Sequence, residues 1–152
     1  MIEYREALID DSKGIATLIV DTNISIFNIN NIDRDYYINK KNSLIKSRLN
    51  NNLKYILAFD NNKIIGCMYY FIKDKECFIQ DLYVDINYHN KGIGTYLFNY
   101  VKNKNINKIY LEVIKNSDAV EYYLKLNGKI IGEDIIILFD KEYETYKIEF
   151  EV

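Results

Sequence analysis

The sequence predicts a mixed α/β (α+β) fold, in which a mostly antiparallel sheet of six to seven strands is flanked by about four helices. Size and composition support this: 152 residues, 49% hydrophobic and 28% charged, suit a single domain over 1–152 with a sizeable core. Three consecutive apolar segments separated by short polar turns are typical of an antiparallel meander. A strand–helix–strand unit over 77–114 predicts a parallel pair with a right-handed crossover.

Two helices are predicted after a short first strand. Residues 2–8 are typical of a strand, and Asp10-Asp11-Ser12 is a signal for a helix N-cap. Side chains of the first helix recur at helical spacing, at Ile15, Leu18, Ile19, Thr22 and Ile26. After an asparagine-rich break, residues 33–50 predict a second helix. One face of that helix carries Tyr37, Leu44, Ile45, Arg48 and Leu49.

The hydrophobic period then changes to that of strands. Residues 55–59, 64–72 and 77–85 are predicted to form three of them. Two polar segments, 60–63 and 73–76, are typical of tight turns. Because tight turns join neighbouring antiparallel strands, these segments predict the meander.

The remaining chain predicts two more helices and three more strands. Apolar residues over 97–101 mark a helix, and residues 108–114 mark a strand. Ser117-Asp118 begins the last helix, Asp118 and Glu121 have capping-box spacing, and Asn127-Gly128 ends it. The second of two closing strands alternates over 145–152. We expect this last strand to lie at a sheet edge, where pairing with a second copy gives a homodimer.

Charge argues against a nucleic-acid-binding protein. Lys and Arg total 20 against 22 for Asp and Glu, which gives a net charge of −2, whereas such proteins usually carry a basic excess. Only a local patch of Lys102, Lys104 and Lys108 favours nucleic acid. We therefore expect no nucleic-acid partner.

Apolar runs and cysteine usage set further limits. Apolar runs such as 135–139 are too short to span a membrane, and residues 1–5 lack signal-peptide character, so a cytoplasmic location is expected. Cys67 and Cys77 form no C-x-x-C pair, and His89 is the one histidine. We expect two buried, reduced thiols and no metal site.

The most informative segment is a glycine-containing loop between a predicted strand and helix. Gly92 and Gly94 let the backbone approach a ligand closely, and the N-terminus of the following helix adds partial positive charge. Lys91 adds a full charge, so the loop suits an anion such as a phosphate. It lacks the third glycine of the dinucleotide fingerprint and the Gly-Lys-Ser/Thr of Walker A.

At this loop and beyond it, the chain resembles the GNAT superfamily of acetyl-CoA-dependent N-acetyltransferases. The segment 82–94 is similar to the family's strand and pyrophosphate loop, Arg/Gln-x-x-Gly-x-Gly/Ala. Asn116, Ala119 and the pair Tyr122-Tyr123 resemble its Asn-x-x-Ala-x-x-Phe-Tyr helix. The segment 125–128 is similar to its Lys-x-Gly-Phe ending with one extra residue. The order of elements also matches over nearly the whole chain.

The resemblance implies an acetyl-CoA site formed where two parallel strands splay apart. The strand residues imply hydrogen bonds to the pantetheine arm, the loop implies pyrophosphate binding, and Asn116 implies a bond to the cofactor arm. The implied cofactor-binding residues are Leu82, Tyr83, Val84, His89, Asn90, Lys91, Gly92, Ile93, Gly94, Thr95, Asn116 and Tyr123.

The chain departs from the family pattern in three places. His89 stands where the family has Arg or Gln, and a neutral imidazole donates one hydrogen bond where Arg donates two. The proline often found after the third meander strand is missing, and Lys129 replaces the aromatic residue after the helix-ending glycine. Weaker or pH-sensitive CoA binding is the expected consequence at His89.

The resemblance also implies catalytic roles. Tyr123 is the expected general acid beside the sulfur; because a phenol has a pKa of about 10, hydrogen bonding to the thiolate is its main expected contribution. Glu112 is the expected base, directly or through water, and Asp81 on the facing strand is the rival. The implied reaction is direct attack of an amine on the thioester in a ternary complex, with no covalent intermediate on Cys67 or Cys77.

The acceptor is a small-molecule amine or a peptide or protein amine, and the sequence leaves its identity open. An acidic pocket suited to a cationic amine is one possibility, formed by Asp81, Asp85, Glu112, Glu133 and Asp134. Tyr36 and Tyr37 are candidates for its lining. The alternative function is a non-catalytic acyl-CoA-binding or sensor module, which needs the loop glycines but neither Tyr123 nor a cleft acid.

Overall fold

The computed structural model describes residues 1–152 and contains four α-helices and one sheet of seven strands. The helices are α1 (Ser12–Ile26), α2 (Arg34–Asn50), α3 (Ile93–Lys102) and α4 (Ala119–Lys125). The strands are β1 (Ile2–Glu6), β2 (Lys54–Asp60), β3 (Lys63–Lys73), β4 (Glu76–Val84), β5 (Lys108–Ile114), β6 (Lys129–Leu138) and β7 (Lys141–Glu151). The predicted mixed, mostly antiparallel fold is confirmed.

The strands are ordered β1-β2-β3-β4-β5-β7-β6 across the sheet. β4 and β5 pair in parallel from Glu76 opposite Lys108 to Phe78 opposite Tyr110, as the strand–helix–strand unit predicted. β7 pairs with β5 on one side and with β6 on the other. The expectation that the last strand lies at an edge is therefore wrong: β6 is the edge strand, and a homodimer stays a prediction.

The chain forms two compact units, each built from two segments. Unit 1 comprises Met1–Tyr70 with Asp81–Tyr100, and unit 2 comprises Phe71–Gln80 with Val101–Val152.

In unit 1, helices cover both faces of the strands. Arg48 of α2 donates to the Tyr55 hydroxyl at 2.7 Å and lies over the Tyr69 ring, on one face. On the other face, α3 packs so closely on Gly66 that an added Cβ there would lie 3.1 Å from Ile93. Apolar burial of this kind is the main favourable term in folding.

Two tight turns form the meander of the central strands as predicted. Asn61 and Asn62 both have positive φ, and so do Asp74 and Lys75. Two consecutive left-handed residues define the turns that match strand twist, and Asn and Asp tolerate that conformation best.

In unit 2, α4 packs on one face of β5 and β7. Ile109, Leu111, Ile148 and Phe150 form that face and are buried. The Tyr123 ring of α4 lies edge-on to Phe150 with 6.1 Å between centroids. The opposite face of these strands carries polar and aromatic side chains.

Several local predictions are corrected by the side-chain contacts. The Asp11 carboxylate does not cap α1, because it binds the Arg5 guanidinium at 2.8 Å and the Leu8 N–H at 2.7 Å. On α2 the buried residues are Ile38 and Ile45, whereas Leu44 of the predicted face is exposed.

The start of α4 differs from prediction in its capping group, whereas its end agrees with the predicted stop at Asn127-Gly128. Asp118 makes no capping hydrogen bond; the Ser117 hydroxyl accepts from the Ala119 N–H at 3.0 Å instead. At the C-terminus, Asn127 and not Gly128 has positive φ. Gly128 is required for another reason: a Cβ there would lie 2.7 Å from Ile148 and 2.8 Å from the Tyr123 carbonyl oxygen.

Candidate active site

The loop between β4 and α3 has two residues in the left-handed conformation and leads directly into a helix N-terminus. Asn90 and Gly92 have φ of 62° and 82°, and the Tyr96 N–H donates to the Gly92 carbonyl as the first helical bond. A Cβ added at Gly92 would meet nothing within 4 Å, so the glycine serves the left-handed conformation and leaves its backbone open. The first turn of a helix leaves backbone N–H groups without intrahelical partners, and these can donate to a phosphate.

His89 does not extend from the loop as an arginine of the family pattern would. Its Nε2 lies 2.8 Å from the Val84 carbonyl oxygen, so the imidazole folds back onto the end of β4. Lys91 is exposed, with its ammonium group 5.7 Å from the centre of the Tyr88 ring. Lys91 therefore places an exposed positive charge on this loop.

Polar contacts tie this loop to the turn between β2 and β3. The Tyr88 hydroxyl donates to the Asp60 carboxylate at 2.6 Å, and this bond raises the pKa of the Tyr88 phenol. The Asp85 carboxylate lies 3.6 Å from the Lys63 ammonium group. The sequence does not single out Asp60, because aspartate is expected in any tight turn.

The end of β4 places the remaining strand residues of the predicted site in partly buried positions. Leu82, Tyr83 and Val84 are half-buried, and the Asn23 amide donates to the Tyr83 hydroxyl at 3.2 Å. The Asp81 carboxylate lies 3.3 Å from Arg48 and 3.6 Å from Lys41. Asp81, the alternative candidate for the base, is therefore paired with two cations.

Unit 2 carries the other predicted catalytic residues. Glu112 is exposed on β5, opposite Lys147, and its carboxylate accepts a hydrogen bond of 2.8 Å from the Thr145 hydroxyl. Thr145 is fully buried. No sequence pattern indicates this contact, because the alternation of the closing strand does not show which residue of β5 lies beside position 145.

Tyr123 is buried in α4, whereas its neighbour Tyr122 is 39% exposed. Burial raises the pKa of the Tyr123 phenol well above its ordinary value, so the hydroxyl stays protonated and able to donate at neutral pH. Asn116 is exposed in the turn that leads from β5 to α4.

The five carboxylates proposed as an acidic pocket are largely committed to other partners. Besides Asp81 and Asp85, Glu133 pairs with the Lys115 ammonium group, and Asp134 lies 3.6 Å from that of Lys147. Glu112 is the exception, because its hydrogen-bond donor is a neutral hydroxyl. Ion pairing within each unit therefore leaves little unbalanced negative charge for a pocket of that kind.

The structure contains no group of three or more His, Cys, Asp or Glu side chains that could hold a metal ion. Cys67 and Cys77 are both fully buried.

None of the helices is long and apolar enough to cross a membrane. A surface groove of about 340 Å³ beside Leu8, Leu53 and Tyr55 contains none of the predicted site residues.

Comparison with solved structures shows the same fold in acetyltransferases. The PaiA N-acetyltransferase from Thermoplasma acidophilum in complex with coenzyme A has a TM-score of 0.70 at 19% identity, over 100% of this chain and 99% of that one. A GCN5-related N-acetyltransferase from Rhodopseudomonas palustris has a TM-score of 0.78 at 13% identity, over 99% and 95%. A ribosomal-protein-alanine N-acetyltransferase from Brucella melitensis gives 0.69 at 13% identity, over 99% of both chains.

The comparison with curated protein sequences gave no match. Residues 13–128 match the model of the acetyltransferase (GNAT) family. The matched residues make up most of the chain and include the β4–α3 loop and Tyr123. With the fold and the glycine loop in place, this match shows that the chain belongs to the GNAT acetyltransferase family.

Proposed function

We propose that this protein is an N-acetyltransferase that transfers an acetyl group from acetyl-CoA to a primary amine by direct attack in a ternary complex. The observation that carries the proposal is the β4–α3 loop of a GNAT-family chain, whose left-handed Gly92 leaves open backbone ahead of α3. Acetyl-CoA is the proposed cosubstrate because it presents the pyrophosphate that such a loop suits.

The backbone of the loop supplies most of the proposed phosphate binding. The N–H groups at the start of α3 donate to the pyrophosphate, and Lys91 adds a positive charge. Leu82, Tyr83 and Val84 bind the pantetheine arm, and Asn116 adds a hydrogen bond to it. His89 supports the end of β4 through the Val84 carbonyl.

Glu112 is the proposed base and Tyr123 the group that stabilises the leaving sulfur. As the amine nitrogen forms its bond to the acetyl carbon, Glu112 takes a proton from it, directly or through water. The carbon–sulfur bond breaks, the Tyr123 hydroxyl donates a hydrogen bond to the CoA thiolate, and water protonates the thiolate while Glu112 returns its proton to solvent. Glu112 is preferred to Asp81 because Asp81 is paired with two cations.

Calorimetric titration with acetyl-CoA tests the cosubstrate, with desulfo-CoA and ADP-ribose as controls. We expect micromolar binding that falls about tenfold in Gly92→Ala, since an L-residue pays about 1–2 kcal/mol in the left-handed conformation. Gly94→Ala is the matched control: it has ordinary φ, and an added Cβ would lie 3.8 Å from Val84. Equal losses in the two variants, or no binding by the wild type, would contradict the loop assignment.

An amine panel then separates an enzyme from a non-catalytic binding module. If the protein is an enzyme, we expect N-acetylated product and free CoA in equal amounts. Tight acetyl-CoA binding without transfer to any amine would favour the acyl-CoA-binding or sensor module instead.

A further inference from the structure

An aromatic ridge lies on the face of unit 2 opposite α4. It consists of Phe71, Phe78 and Tyr110, from three successive strands. The Phe71 and Phe78 rings are nearly parallel, with 5.0 Å between centroids and 16° between planes, and Phe78 stacks on Tyr110 at 5.2 Å and 19°. Phe71 is 37% exposed and the other two rings are half-buried, so the ridge offers apolar surface to a ligand.

The ridge lies on the same strand face as the proposed base. Tyr110 and Glu112 are two residues apart on β5, so both point to one side of the sheet at a separation of about 6.6 Å. The registers confirm the shared face, because Tyr110 is opposite Glu149 and Glu112 is opposite Lys147 on β7. A ligand with its nitrogen at Glu112 would therefore place the adjoining part of its body over the ridge.

Charged groups of both signs surround the ridge, with carboxylates in slight excess. The Tyr110 hydroxyl donates to the Glu76 carboxylate at 2.9 Å, and Lys108 lies between Glu149 at 3.5 Å and Glu151 at 3.7 Å. Beside the ridge, Glu76, Glu112, Glu149 and Glu151 share this face with Lys108 and Lys147. Lys73 lies two residues from Phe71 on β3, so four carboxylates stand against three ammonium groups. The excess of carboxylates favours a cation and opposes an anion.

We propose that this ridge binds the body of the acceptor, and that the acceptor is an apolar monoamine of the arylalkylamine type; this rests on the proposed acetyl transfer. The single ammonium group lies at Glu112 and loses a proton there, and the flat apolar body packs on Phe71, Phe78 and Tyr110. A free amino acid brings a carboxylate to a face already rich in carboxylates. A diamine places a second, strongly hydrated charge over apolar rings.

The test compares kcat/KM for four amines with acetyl-CoA: 2-phenylethylamine, ethylamine, phenylalanine and putrescine. Ethylamine lacks the ring, phenylalanine adds a carboxylate, and putrescine adds a second charge. Because burial of a phenyl group favours binding, we expect 2-phenylethylamine to exceed ethylamine by about tenfold or more. A preference for putrescine or phenylalanine would overturn the assignment while leaving acetyl transfer intact.

Variants at the exposed end of the ridge sharpen the test. We expect Phe71→Ala to lower kcat/KM for 2-phenylethylamine about tenfold and to leave ethylamine within about twofold, with Phe71→Leu restoring most of the loss. Ile137→Ala is the control, because Ile137 is 73% exposed on β6. Equal losses for both amines would show that Phe71 acts on the fold and would overturn its role in recognition.

Direct binding distinguishes failure of this inference from failure of the proposed function. Calorimetry measures 2-phenylethylamine binding to the protein saturated with CoA, with no requirement for turnover. Binding that Phe71→Ala weakens supports the ridge even if no product forms. Absence of binding, with acetyl-CoA still bound, overturns the ridge alone.

Discussion

At the scale of single residues, Tyr123 is defined by its burial. A buried phenol with a raised pKa keeps its proton over the whole neutral and mildly alkaline range. We expect Tyr123→Phe to lower kcat about a hundredfold, because the thiolate loses its hydrogen bond, and to change the acetyl-CoA dissociation constant little. Steady-state kinetics and calorimetry on the same variant measure the two effects separately.

Tyr122→Phe is the matched control for that experiment. The two tyrosines are adjacent, with 5.2 Å between ring centroids, but Tyr122 is 39% exposed whereas Tyr123 is buried. Comparable losses of kcat in both variants would assign the effect to α4 as a whole. Because the pKa of Tyr123 is raised, the wild-type rate should not fall between pH 7 and about 9 from loss of this proton.

Thr145 gives a second prediction at this scale. Its buried hydroxyl donates to the Glu112 carboxylate and so fixes the position of the proposed base. We expect Thr145→Val to lower kcat by about three- to tenfold with KM for acetyl-CoA unchanged, and Thr145→Ser to recover most of it. A fully active valine variant would remove Thr145 from the site.

At the scale of elements, the contact between the β2–β3 turn and the phosphate loop is expected to hold the loop for its ligand. The Tyr88–Asp60 bond has an ionised acceptor, which makes it stronger than a neutral hydrogen bond. We expect Tyr88→Phe to weaken acetyl-CoA binding about fivefold in the wild-type background. In a protein that already carries Asp60→Asn, we expect Tyr88→Phe to weaken binding little further. Calorimetry on the four proteins of this cycle gives the coupling between the two residues.

Pantetheine provides the control for the loop, because it lacks the pyrophosphate. Its affinity should be the same in the wild type and in Tyr88→Phe. If both ligands lose affinity alike, the contact stabilises unit 1 generally and does not act on the phosphate loop.

The end of α4 gives a prediction about stability. Gly128 donates to the Tyr123 carbonyl and Asn127 to that of Leu124, which is the hydrogen-bond pattern of a Schellman motif. We expect Gly128→Ala to lower the free energy of unfolding by about 1–3 kcal/mol, because its Cβ meets packed atoms. Asn127→Gly should leave it unchanged or raise it, since Asn127 holds the left-handed conformation. Chemical denaturation measures both, and the reverse ranking would contradict the motif.

The element scale also shows what sequence patterns can and cannot specify. Helix and strand periods located the four helices and six of the seven strands, because burial on one face fixes the spacing of apolar residues, but they gave no bounds for β6. They predicted the caps only in part: Arg5 and Leu8 hold Asp11, whereas in the predicted pair Ser117-Asp118 the hydroxyl of Ser117 accepts the backbone hydrogen bond and the carboxylate of Asp118 does not. The donor from which a side-chain oxygen accepts depends on the positions of the nearby groups in the folded chain, and residue type alone does not reveal these positions.

At the scale of the whole molecule, strand order was the property hardest to predict from the sequence. The alternation of β7 correctly indicated one buried face, but a strand with two neighbours shows the same alternation as an edge strand. The loop was identified because its glycines lie within one short segment. The ridge combines Phe71, Phe78 and Tyr110 through pairing of distant strands, which no local pattern contains.

The two cysteines can test whether the chain unfolds as one cooperative domain, because each unit contains one. Cys67 belongs to unit 1 and Cys77 to unit 2, and burial raises the pKa of both thiols, that of Cys77 to about 12. Neither forms much thiolate in the folded protein, so labelling requires opening of the structure. The unfolded chain releases these protons above pH about 8.5 and the folded chain keeps them, so stability falls as pH rises from there.

We expect both thiols to become reactive at the same denaturant concentration, as a single domain over 1–152 requires. Pulsed labelling across a guanidinium series, followed by peptide mass spectrometry, measures the midpoint at each cysteine separately. Cys67→Ser and Cys77→Ser serve as controls for assignment of the label. Midpoints that differ between Cys67 and Cys77 would show that the two units unfold independently, and the single-domain prediction would then be wrong.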